Sequence, residues 1–196
     1  MVLAMVNFRL KTKNMKFTIC LVLVATILVG CNSANNKPKK EVDNESSELP
    51  AIAQSDKVIF PIYDFNGLEP LLNRKDDKTY IINFWATWCK PCVEEMPYFE
   101  KTFAEQKDNG VEMILVSLDM PSMWKKRLEP FVKEKKLKGE VVILDDPKMN
   151  DWIPKIDEDW QGGIPATLIY NKDNRIFYPH GFTYEELNTE LNKFIE

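Results

Sequence analysis

The chain has one histidine in 196 residues, His180, set between Pro179 and Gly181. A solitary histidine there reads as structural or solvated, not as a metal ligand. Positive charge is also scarce: 26 Lys and Arg stand against 30 Asp and Glu, a net charge of −4. Such a chain lacks the basic footprint that nucleic acid demands. Long apolar runs are missing as well. Phe17 to Gly30, interrupted only by Thr18 and Thr26, is 14 residues long and falls short of the ~20 that a membrane-spanning helix needs. There are only four cysteines and no visible internal repeat. The length fits one domain with accessories.

The short apolar run matches the core of a signal peptide. Arg9, Lys11, Lys13 and Lys16 precede it with no acid. It closes on Leu28-Val29-Gly30-Cys31, and small residues before a cysteine resemble the bacterial lipoprotein signal. That resemblance implies cleavage before Cys31 and lipid on its sulfur and amine. Met15-Lys16 would be a normal start for such a signal. Removing residues 1–30 leaves 22 basic against 30 acidic residues, a net charge of −8. Residues 31–55 then form the lipidated cysteine and a flexible tether, rich in Asn, Ser, Lys, Pro and Glu. Residues 56–196 form the folded domain. The expected location is the bacterial cell envelope, with the domain on the extracytoplasmic side and a lipid anchor in a membrane.

With Cys20 lost in the leader and Cys31 committed to lipid, only Cys89 and Cys92 remain. They cannot build a structural disulfide framework. A loop that short also adds little stability by constraining the unfolded chain. Reactivity is the better reason for the pair. Trp88-Cys89-Lys90-Pro91-Cys92 follows the apolar run Tyr80 to Trp85 and precedes a helical pattern. A strand-to-helix junction is where a dithiol/disulfide exchange site belongs. The helix start offers unpaired N–H groups and positive potential, which favour a thiolate on Cys89. A helix terminus supplies ~0.3–1 kcal/mol, up to ~2 when partly buried. That moves a pKa by about one unit, so any larger depression needs direct hydrogen bonds to sulfur. Cys92 lies less than one helical turn on, placed to attack a mixed disulfide formed at Cys89. This chemistry needs no cofactor.

The remaining pattern predicts an α/β fold. Val58–Phe60 and Tyr63–Phe65 suggest a strand or hairpin, and Gly67 to Arg74 a short helix. Strands are expected at Thr79–Trp85, Val111–Leu118, Val141–Leu144, Ala166–Tyr170 and Arg175–Tyr178. Helices are expected from Pro91 to Lys107 with a kink at Pro97, from Ser122 to Lys136 with Ser122 as N-cap, a basic face and an interruption at Pro130, and from Thr183 to Ile195 with Thr183 as N-cap. Lys148 to Asp159 is mixed. This order implies a central mixed sheet with helices on both faces.

Asn83-Phe84-Trp85-Ala86-Thr87-Trp88-Cys89-Lys90-Pro91-Cys92, then Glu95-Met96-Pro97, then Ile164-Pro165-Ala166-Thr167, resembles the TlpA/ResA-like thioredoxin-fold proteins. The resemblance covers roughly Ile59 to Glu196. It implies a thioredoxin-like fold and a thiol–disulfide oxidoreductase acting as a protein disulfide reductase. In that reading Cys89 is the attacking nucleophile and Cys92 resolves. Glu95 is the proton-handling carboxylate, because Asn83 occupies the place of the buried aspartate of thioredoxins proper and cannot titrate. Pro165 is the cis-proline facing the cysteines, and Ile164 beside it offers backbone to an extended substrate. Trp88 is an exposed apolar contact for substrates; Lys90 and Pro91 complete that rim. Trp85 is expected in the core, and Trp160 either in the core or lining the same groove.

The implied partners are protein disulfides or thiols, apocytochrome c among them, together with a membrane redox donor. The alternative is a copper-binding or delivery module on the same fold. Such proteins use a longer cysteine spacing and a distant histidine, so no metal site is assigned. Peroxidase chemistry is not expected, because no separate resolving cysteine or upstream threonine motif is present.

Overall fold

The computed structural model describes residues 57–195. The leader, Cys31 and the tether lie outside the described residues. Six strands form one sheet in the order β1-β4-β3-β2-β5-β6. They are β1 (Ile62–Tyr63), β2 (Thr79–Trp85), β3 (Val111–Ser117), β4 (Glu140–Leu144), β5 (Ala166–Tyr170) and β6 (Arg175–Tyr178). The first four positions in that order are parallel, and β5 and β6 run antiparallel to their neighbours β2 and β5. The mixed sheet expected from the sequence is therefore present.

Strand β2 is buried along its whole length, which is why it reads as an uninterrupted apolar run. Its side chains alternate. Tyr80, Ile82 and Phe84 enter a core with Phe65 and Leu68 of α1 (Phe65–Leu68) and with Trp152, Ile153 and Ile156 of α4 (Met149–Ile156). Ile81 and Trp85 enter the opposite core. There they meet Met96 and Phe99 of α2 (Lys90–Gln106) and Leu187, Leu191 and Phe194 of α5 (Tyr184–Ile195). Phe131 of α3 (Glu129–Lys135) packs against that same core, its ring 5.4 Å from Trp85. Helices thus cover both faces of the sheet.

Several elements depart from the sequence reading. Val58–Phe60 forms no strand; the first strand is Ile62–Tyr63, paired with β4. Tyr63–Phe65 does not continue as strand because Asp64 caps α1, accepting the Gly67 N–H at 2.8 Å. The first helix starts before Gly67, and a 3-10 turn over Glu69–Leu72 follows it. Ser122 is not an N-cap. A 3-10 turn spans Pro121–Met123 and a π-helical turn spans Trp124–Leu128 before α3 begins. Pro130 has no N–H to offer and its ring crowds the carbonyl four residues back; the wider turn precedes it. Within the mixed segment, Met149–Ile156 is helical and contains Pro154. Pro97 lies inside helix α2, as expected, and the helix is continuous from Lys90 to Gln106.

Thr183 does cap α5. Its Oγ1 accepts the Glu186 N–H at 3.3 Å while the Glu186 carboxylate accepts the Thr183 N–H at 2.9 Å. This reciprocal pair satisfies two end donors at once. Replacing Thr183 with Ala should cost ~1 kcal/mol of stability. Urea denaturation should show a lower midpoint with an unchanged slope.

Candidate active site

The site sits where β2 hands over to α2. Leu118 donates its N–H to Trp85 O at 2.8 Å, tying the end of β3 to the end of β2. The loop beyond is then held by Asp119. Its carboxylate accepts the Thr87 N–H at 3.0 Å and the Thr87 hydroxyl at 2.6 Å. Ser117 Oγ donates to the same carboxylate at 3.0 Å, and Trp124 Nε1 donates to the Asp119 carbonyl at 2.6 Å. Asp119 is buried. It therefore fixes Thr87, two residues before Cys89, and sequence reasoning missed it. The one available signal was an acid following a strand that ends in serine, which is too common to stand out.

Cys89 is the N-cap of α2, in extended conformation, and its Sγ accepts the Cys92 N–H at 3.3 Å. A sulfur thus fills the role that Ser or Asp usually plays at a helix start. Lys90 and Pro91 make the first turn; Pro91 needs no donor there. Cys89 and Cys92 are joined as a disulfide with Cα atoms 5.3 Å apart. Cys89 is slightly accessible, at 5% of its surface, and Cys92 is fully enclosed. Only the first sulfur can meet a partner from outside. The Lys90 ammonium is exposed and lies 3.4 Å from Glu94, a solvated pair of little energetic weight.

Glu95 lies one turn beyond Cys92, buried at 3% exposure. Its Oε1 accepts from Asn83 Nδ2 at 3.0 Å and its Oε2 accepts the Phe182 N–H at 2.8 Å. Asn83 Nδ2 also donates to Thr167 Oγ1 at 3.2 Å, across the β2–β5 register that pairs these two residues. Burial pushes the Glu95 carboxyl up from 4.5 to about 7, against the pull of the Phe182 and Asn83 donors and the nearby His180. Desolvation wins because three favourable contacts do not replace a full hydration shell.

The Ile164–Pro165 bond is cis. Pro165 is buried and Ile164 half-buried. Gly181 closes over both Glu95 and Pro165: a Cβ there would stand 2.9 Å from Glu95 Oε2 and 3.2 Å from Pro165 Cγ. Neither Gly181 nor Phe182 was singled out from the sequence, because their relation to Glu95 crosses 87 positions of chain.

Trp88 is exposed at 49%, and an apolar trough of about 280 Å³ runs from it past Met120, Met149 and Ile164. Trp85 is core. Trp160 is core too, its Nε1 donating to Gly163 O at 2.8 Å. His180 is exposed and its ring edges Tyr178 and Phe182. Among the described residues, no three His, Cys, Asp or Glu side chains are grouped so as to hold a metal ion.

A redox-ready sulfur pair at a helix start, on this sheet order, defines the class: the thioredoxin-fold thiol–disulfide oxidoreductases. The chain belongs to the AhpC/TSA family, whose model matches residues 37–178. It is similar to the thiol-disulfide oxidoreductase ResA of Halalkalibacterium halodurans, 32% identical over 147 residues that cover 74% of this chain and 78% of that protein. It is also similar to ResA of Bacillus cereus, 32% identical over 117 residues, 60% of this chain and 62% of the relative's length. Among solved structures, a thioredoxin-related protein from Neisseria meningitidis serogroup B shares the fold. Its TM-score is 0.53 at 22% identity, over 63% of this chain and 89% of that one.

The Glu95 carboxyl makes stability depend on pH in a defined direction. Below about pH 4.5 the group is protonated in both folded and unfolded chains. Between 4.5 and about 7 the unfolded chain ionises while the folded one keeps its proton. Stability therefore falls as pH rises through that window, by about 3 kcal/mol in all. Glu95→Gln should remove this component of the slope, at the cost of an offset independent of pH, since its amide N–H₂ faces one of two fixed donors. Urea midpoints of both proteins measured from pH 4 to pH 8 check this. Parallel curves would refute the assignment.

Proposed function

We propose that the protein is an envelope protein-disulfide reductase, held to a membrane by lipid on Cys31. The observation that carries this reading is the Cys89–Cys92 pair at the start of α2, one sulfur reachable and one enclosed, with a buried carboxyl one turn away.

In the reduced chain, the Cys89 thiolate attacks a substrate disulfide. One sulfur–sulfur bond forms to Cys89, and one substrate sulfur leaves as a thiolate. Cys92 then loses its proton and attacks Cys89 Sγ. The second substrate thiolate is released and the chain is left as the disulfide seen here. Two electrons have passed to the substrate. Glu95 is suited to take the Cys92 proton, because a carboxyl that titrates near 7 can both accept and return it at neutral pH. Trp88, the Lys90–Pro91 turn and Ile164 border the reachable sulfur and form the contact rim for an extended substrate segment. A membrane thiol donor restores the dithiol. The ResA relatives, which carry the thiol-disulfide oxidoreductase name, support the exchange chemistry of this proposal, and apocytochrome c is one substrate that fits it.

Insulin reduction driven by dithiothreitol should be lost in Cys89→Ser. In Cys92→Ser, mixed disulfides should accumulate on Cys89 and dissolve on adding reductant. Turnover by Cys89→Ser at the wild-type rate would remove the mechanism.

A further inference from the structure

Charge is not spread evenly over this acidic protein. Residues 125–138 hold seven Lys and Arg against two acids, Glu129 and Glu134, whereas the rest of 57–195 holds 12 basic against 22 acidic residues. Lys126, Arg127, Lys133 and Lys136 are all exposed. None of these four makes an ion pair among the described residues, whereas Lys135 leans on Glu134. The π-helical turn over Trp124–Leu128 carries three of the seven cations. A wider turn puts a smaller angle between successive side chains than the ~100° of an α-helix. Lys125, Lys126 and Arg127 are all exposed there while Leu128 stays buried.

This segment covers one face of the sheet, with Phe131 and Leu128 packed into the core shared with α2 and α5. The other face carries the opposite sign. Residues 145–159, around α4, hold six acids against Lys148 and Lys155, and Trp152, Ile153 and Ile156 seat them on the second core. Helices α2 and α5, on the same face as α3, carry Glu94, Glu100, Glu105, Glu185, Glu186 and Glu190 against Lys90, Lys101 and Lys193, so the cationic patch is confined to residues 125–138. The described chain begins beside that patch: Ile59 donates its N–H to Glu129 at 3.0 Å, and Ile59 and Phe60 line a trough with Val132 and Lys133.

We infer that the α3 face, through Lys126, Arg127, Lys133 and Lys136, docks on the anionic headgroups of the membrane that holds the chain. The inference rests on the proposed lipid tether. The described chain begins beside α3, where Ile59 bonds Glu129, so the point from which a lipid tether would lead lies next to the surface charge. Held near the membrane, a weak electrostatic contact is multiplied by effective concentration. The acidic α4 face is repelled, which fixes orientation as well as distance.

The test uses residues 31–196 carrying Cys31→Ser, so that no lipid contributes, with vesicles of phosphatidylcholine with or without phosphatidylglycerol. At about 50 mM salt, where the screening length exceeds 10 Å, this protein should co-sediment with the anionic vesicles and release as salt is raised. Lys126→Glu, Arg127→Glu, Lys133→Glu and Lys136→Glu together should weaken binding at least tenfold. Lys148→Glu with Lys155→Glu, on the other face, should not. Lys37, Lys39 and Lys40 remain in every variant and set the baseline. Should the fourfold reversal fail to fold, the four Gln replacements keep the test open, with insulin reduction as the check on the fold. Equal binding by all variants, or equal binding to phosphatidylcholine alone, would overturn the inference. So would capture of polyglutamate in place of vesicles, which points to an acidic protein, or salt-sensitive self-association, which points to the α4 face of a second copy. Labelled fatty acid on Cys31 of the complete chain reads the tether separately, so failure of one leaves the other legible.

Discussion

A fully buried strand passes directly into a long helix, and the residue that must cap that helix is a cysteine. Most of the site follows from that constraint. The cap position forces Cys89 into extended backbone with its sulfur turned towards the N–H of Cys92. It leaves room for a proline that needs no donor, and it brings the second sulfur under the first. Asp119 and the Leu118–Trp85 bond then stop the four-residue handover from drifting. The reactive atoms are positioned by backbone geometry and one buried carboxylate, which is a stiffer arrangement than a set of side chains reaching from loops.

The second layer is the enclosed polar group behind the sulfurs. Strand alternation turns Asn83 to the same side as Ile81 and Trp85, which is the side α2 covers. Glu95 therefore meets an amide and not another acid. Gly181 brings the loop before α5 close enough for the Phe182 N–H to reach the carboxylate. The result is a titrating group that three chain segments hold in place. A carboxyl so enclosed works against folding at neutral pH, and the surrounding core offsets that cost. Sites of function are where such local disagreements are expected.

Much of this was legible from residue order. The apolar run at Thr79–Trp85, the cysteine pair at its end, the helix after it and the β5–β6 pair gave the mixed sheet and the location of the site. Glu95 and Pro165 were visible through resemblance. Local chemistry explains the misses. Asp64 looked like a polar position within a strand, yet it caps a helix. Ser122 looked like a cap, yet Pro130 imposes a wider turn upstream. Asp119 and Phe182 could not be read because the contacts that give them their roles, with Thr87 and Glu95, are with residues 32 and 87 positions away, and Gly181 escaped notice for the same reason. Local patterning carries no information about such pairs.

The cap also implies a reciprocity. The same sulfur that exchanges electrons terminates the backbone of a 17-residue helix. A thiolate accepts an N–H more strongly than a disulfide sulfur does. Whatever the helix contributes to the anion, the anion must return to the helix in equal measure. The oxidation state of one atom and the firmness with which the first turn is wound are therefore a single quantity, read from two ends.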